Sequence, residues 1–185
     1  MEVLEAIFTR QSISEVKPDS VPRELIVKLL SAAVQAPNHY KVRPWRFVVL
    51  TGAGRERLGD VIAQSFAERF PEAPAAALEK ERARPLRAPV LIAVGVDKPS
   101  EPKVLEIENI CAAAAAVENL LLAAHALGLA AKWRTGGDAR DPRVKHFLGF
   151  TPDQYVITLV YIGYPAVDAG QVNRPGFEDR TVWME

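Results

Sequence analysis

Cysteine is nearly absent from this chain. Cys111 stands alone, so no intrachain disulfide can form, and a reducing compartment such as the cytoplasm is the expectation. Excess charge of either sign is absent too. Lys plus Arg and Asp plus Glu each number 23, which argues against a nucleic-acid binder driven by overall charge. The apolar run Leu120 to Ala124 is too short to span a bilayer. Met1 to Glu5 lacks the basic start and apolar core of a signal peptide. The equipment of several enzyme classes is also missing. His39, His125 and His146 lie far apart, with no H-E-x-x-H and no paired cysteines, so metal ligation finds no support. Neither a G-x-S-x-G elbow nor a Walker loop occurs. No carboxylate pair falls on an expected loop with an obvious partner, which leaves glycoside chemistry unsupported. Thr51-Gly52-Ala53-Gly54 lies between an expected strand and helix, but Arg57 stands where a dinucleotide fingerprint needs its third glycine. Cys111 sits among alanines and reads as a small core residue rather than a nucleophile.

What is present fits one domain over residues 1–185, which should bury roughly 70% of its unfolded surface without covalent staples. Val3, Leu4, Ile7 and Phe8 recur at helical spacing, predicting a helix over Glu2 to Thr9. Pro22 opens a second helix, with Asp19 or Ser20 as cap, whose apolar stripe is Leu25, Ile26, Leu29, Leu30, Ala33 and Val34. Arg46 to Leu50 reads as a buried strand. Arg55 to Phe70 reads as a helix, with Leu58, Val61, Ile62, Phe66 and Phe70 inward. Pro71 to Pro89 carries four prolines and a basic run. It reads as a solvated face with one helix around Ala75 to Arg84, a movable flap being the alternative. Val90 to Val96 is the clearest strand. Glu106 to Leu127 is the longest helix and is apolar on nearly every side, which hints at a subunit interface through it. Gly128 caps it. Leu129 to Trp133 is a short strand, Pro142 opens a helix closed by Gly149, and Tyr155 to Ile162 is a long strand. Thr181-Val182-Trp183 is a terminal strand or an arm.

Cations, hydroxyls and glycines collect at element ends in three places: Arg10 to Ser12, Gln35 to Arg46, and Trp133 to Gly137. The middle one, Ala36 to Phe47, reads APNHYKVRPWRF. It is rich in cations and rings and suits a flat, partly anionic ligand. Arg10 can grip a phosphate bidentately and Ser12 can donate to one, although on residue type alone a solvated helix end is the favoured reading. Gly136 and Gly137 let backbone amides approach a ligand closely. Such a set suits a phosphorylated aromatic cofactor that carries the chemistry itself.

The three stretches resemble, in order, motifs of the FMN-dependent nitroreductase family. R-Q-S at residue 10 resembles R-R-S-x-R; Arg10 and Ser12 match, whereas Gln11 and Ser14 replace the other two arginines, so a phosphate must find cations elsewhere. A-P-N-H-Y-K-V-R-P-W-R-F resembles the family's A-P-S-x-x-x-x-P-W-x-F. E-N-L-L-L-A-A-H-A-L-G-L-A-A-K-W-R-T-G resembles its Q-N-L-L-L-A-A-x-A-L-G-L and the W-R-S/T-G of a compact branch. The resemblance implies an α+β fold: a mixed, mainly antiparallel sheet flanked by helices, in a homodimer through the long central helix with two FMN sites at the interface. It implies that Arg10, Gln11 and Ser12 hold the phosphate or ribityl end. Gln35 and His39 would reach the flavin from the other subunit, and Trp133, Arg134 and Thr135 would complete the cradle. His39 as an ordinary loop histidine is the bland alternative. Ala123 to Gly128 corresponds to a stretch tied to the nicotinamide nucleotide. NAD(P)H is then the co-substrate, with hydride passing through flavin N5 to nitroaromatic, quinone or enone acceptors. Dehalogenation, flavin breakdown and a flavin-carrying dimer without turnover are the rival readings.

Overall fold

The computed structural model describes residues 1–185. In chain order the elements are α1 (Val3–Thr9), α2 (Arg23–Ala33), β1 (Trp45–Leu50), α3 (Ala53–Arg69), α4 (Ala75–Arg82), β2 (Val90–Val96), α5 (Glu106–Ala126), β3 (Ala130–Arg134), α6 (Gly137–Arg140), α7 (Pro142–Phe147) and β4 (Tyr155–Gly163). The strands form one sheet in the order β1-β2-β4-β3, and all three pairings are antiparallel. The expected helix-flanked, mainly antiparallel sheet is therefore present.

β2 lies inside the sheet and every residue of it is buried, because helices cover both faces. Alternation along the strand divides its side chains between two cores. Val90, Ile92, Val94 and Val96 pack with Leu29 of α2 and with Ala113, Val117 and Leu120 of α5. Leu91 and Ala93 face Leu58, Ile62, Val144 and Leu148 on the other side. The register of β2 against β4 shifts between Val94 and Gly95. A Cβ at Gly95 would stand 2.2 Å from the ring of Phe150, so only glycine admits that ring.

Several local expectations change. Neither Asp19 nor Ser20 caps α2; Pro22 occupies its N-cap, with no side-chain bond. Phe70 is exposed rather than inward, because α3 ends at Arg69 and the backbone at its C-cap leaves the helical conformation. Cys111 is exposed rather than in the core. Within one chain α5 buries only the face carrying Asn109, Ala112, Ala113, Ala116, Val117, Leu120, Leu121 and Ala124. This helix is long and apolar enough to cross a membrane by length and composition, which the short run Leu120 to Ala124 did not reveal. Here it packs on α2 and the sheet. No terminal strand forms at Thr181-Val182-Trp183.

The basic excursion is pinned at two points. Arg82 pairs with Asp60 of α3 at 3.0 Å, and Arg84 pairs with buried Asp138 at 3.0 Å. A solvated face describes α4 but not Arg84, which reaches inward.

Candidate functional site

The outer edge of β3 organises the first group of residues. The segment after α1 runs along that edge, and the Ile13 N–H donates to the Ala131 carbonyl at 3.4 Å. This brings Arg10, Gln11 and Ser12 beside the strand that carries Trp133 and Arg134. Arg10 Nε lies 3.3 Å from Glu118 Oε1 of α5. Gln11 donates to the Ala169 and Gly170 carbonyls at 2.6 and 3.2 Å, which ties the segment to the chain's tail. Arg174 of the tail donates to the Ile7 and Arg10 carbonyls. Ser12 is exposed.

Along β3, side chains alternate in direction. Ala131 and Trp133 join the core beneath α5. Lys132 and Arg134 point to the opposite face, where the Arg134 guanidinium lies 5.2 Å from the ring centroid of Tyr161. Thr158 donates to the Arg134 carbonyl at 3.1 Å, and Thr135 is exposed. Tyr161 is buried, which raises its pKa. Asp138, just beyond the strand, also has a raised pKa: desolvation outweighs the opposing charges of Arg84 and Arg134.

The second group lies elsewhere. Gln35 follows α2, is exposed, and donates back to the Ser31 carbonyl at 3.2 Å. His39 is exposed, lies edge-on to Tyr40, and has Nε2 4.0 Å from Glu108 Oε1. His39 lines an open groove of about 580 Å³ with Pro37, Asn38, Ile107, Cys111 and Ala115. The groove floor is the uncovered face of α5. The loop that supplies this wall is unusual: Tyr40, Lys41 and Arg43 all have positive φ, at 51°, 56° and 50°. Asn38 holds it, accepting from the Arg43 N–H at 2.8 Å.

The two groups do not meet within one chain. Arg10 meets α5 at Glu118 and His39 meets it near Glu108, ten residues and about 15 Å apart along the axis. Sequence reasoning passed over Lys132, whose Nζ lies 2.5 Å from Ser14 Oγ. Its neighbour motif W-R-T-G drew attention one residue too late. The missing cation at Ser14 was the signal that could have found it.

The model of the nitroreductase family matches residues 7–164. YdjA of Escherichia coli, a provisionally named NAD(P)H nitroreductase, is 31% identical over 176 residues, covering 95% of each chain. A nitroreductase-like family protein from Bacillus cereus superposes with a TM-score of 0.87 at 25% identity, over 100% of this chain and 97% of that one. A provisionally named nitroreductase of Desulfovibrio desulfuricans, solved in complex with FMN, has a TM-score of 0.77 at 26% identity, over 100% and 98%.

Proposed function

This chain belongs to the nitroreductase family, and from that premise we propose that it is an FMN-dependent NAD(P)H oxidoreductase working as a homodimer, with residues 1–185 forming one FMN-binding domain. The observation that carries the reading is the convergence of Arg10 to Ser12 with Trp133 to Thr135 along one strand edge. The donors there fit a phosphorylated flavin. Arg10 and Arg134 offer guanidinium groups, Ser12 and Thr135 offer exposed hydroxyls, and Arg134 enters no ion pair that would occupy it. When bound, FMN would supply the redox chemistry, taking two electrons from NAD(P)H and passing them to a nitroaromatic, quinone or related acceptor.

The remaining work falls to the protein's own side chains. Arg10 is held near Glu118, and the Arg134 guanidinium is drawn to the Tyr161 ring by cation–π attraction. His39 meets α5 about 15 Å along its axis from the Arg10 contact, and the Gln35 side chain bonds only to the Ser31 carbonyl of the helix it follows. A second copy packed through α5 would let them join in trans. Ile107 is 61% exposed on the uncovered face of α5, and Phe8 on α1 is 70% exposed. A second copy seated there would cover these open apolar side chains.

The test begins with a visible spectrum after FMN is added, then bleaching by NAD(P)H and recovery on a nitroaromatic. Arg10→Ala or Arg134→Ala should weaken FMN binding by about 1.5–3 kcal/mol, the scale of a hydrogen bond to a charged group. Riboflavin, which lacks the phosphate, should be far less sensitive. Equal losses for both ligands would show that these arginines do something else.

A further inference from the structure

We propose that Lys132 is a cofactor-binding residue, its ammonium group meeting the phosphate of FMN in place of the arginine that position 14 lacks. The inference rests on the FMN reading above and assigns a further residue to it. The ammonium is held 2.5 Å from Ser14 Oγ, two residues after Ser12 and on the same edge strand as Arg134. It thus bridges the two segments that form the cradle.

Among the other cations near this edge, Arg134 is free of ion pairs but lies against the Tyr161 ring, whereas Arg10, Arg84 and Arg174 are already engaged. Arg10 has Glu118 at 3.3 Å. Arg84 has Glu81 and Asp138. Arg174 donates to two backbone carbonyls. Lys132 enters no ion pair, and an ammonium has three donors, of which Ser14 takes one. Its partly buried stem crosses the strand opposite Tyr161, the usual way a lysine covers apolar surface while its head stays polar. An uncompensated cation fixed in this way is matched best by a strong anion. In oxidised FMN only the phosphate is one, since the ring is neutral.

Equilibrium titration of the apo protein by flavin fluorescence tests this. Lys132→Ala should raise the Kd for FMN about tenfold to a hundredfold, the range for one charge-assisted hydrogen bond. The Kd for riboflavin should barely move. Lys132→Ala/Ser14→Arg should recover most of the FMN affinity, because the cation returns to the same place from the other strand. Melting of each apo variant shows that the fold is intact, as expected for a contact at the surface. Wild-type protein that binds FMN while Lys132→Ala binds it equally well overturns the role of Lys132 alone. Equal losses for FMN and riboflavin also overturn it. Wild-type protein that binds no FMN overturns the flavin reading and this inference together.

Discussion

Tyr40, Lys41 and Arg43 hold the left-handed backbone conformation that L residues avoid, at about 1–2 kcal/mol each. Three such residues within one loop mark it as held by its surroundings rather than by its own preference. Asn38 is the visible restraint, through the Arg43 N–H. Lys41 is exposed and its side chain packs against nothing in the core. Lys41→Gly should therefore raise stability by about 0.5–1 kcal/mol, the left-handed penalty less glycine's greater entropy when unfolded. Urea unfolding would check it, and a loss of stability would mean the backbone is not strained there. A second residue-level effect concerns Asp138, whose pKa burial raises. The folded chain holds that proton more tightly than the unfolded one. Stability contributed by this group is therefore lost as pH rises from the ordinary carboxylate range through the raised value. Asp138→Asn should flatten that part of the stability–pH curve, and an unchanged slope would assign the effect to another group.

At the scale of elements, α7 is the clearest example of a helix whose start was legible. Pro142 opens it, and Asp141 caps it by accepting from the Arg143 N–H at 2.9 Å. Asp141 also accepts from the buried Ser65 hydroxyl of α3, so the cap doubles as a tie between two helices. Asp141→Ala should cost about 1–2 kcal/mol from the cap, and somewhat more from the stranded hydroxyl of Ser65. Thermal melting of Asp141→Ala and Ser65→Ala would separate the two parts; a neutral Asp141→Ala would refute the tie. The same scale shows where periodicity fails. β2 agreed in both bounds and α5 to within a residue, because a run of branched residues and a long apolar repeat each admit one reading. Phe70 did not, since periodicity cannot see where a helix stops.

For the whole molecule, the decisive feature is the uncovered face of α5. The groove over Ile107, Cys111 and Ala115 ends at His39, and the Arg10 end of the same helix lies about 15 Å away along the axis. If a second copy brings these ends together, FMN binds the dimer and not the separate chains, and each stabilises the other. Ala115→Arg would bury an unpaired charge at that contact. It should dissociate the dimer and release flavin together, as read by sedimentation and flavin fluorescence on dilution. A monomer that keeps FMN at full affinity would exclude the shared site and leave His39 an ordinary loop residue.

The sequence by itself determined the local elements and the kinds of residue at their ends. Branched and apolar spacing made α2, β2 and α5 readable, prolines and glycines punctuated them, and three short motifs carried the family resemblance. Each of these signals lies within about twenty residues of chain, where backbone geometry and side-chain spacing act directly. Only the tertiary structure decided which ends meet. It laid residues 10–14 along the edge of β3 through the Ile13–Ala131 bond and carried Lys132 to Ser14 across 118 positions of sequence. It also turned Cys111 outward and drew Arg84 in to Asp138. Contacts between residues so far apart depend on how the sheet and helices stack, and no local spacing encodes that.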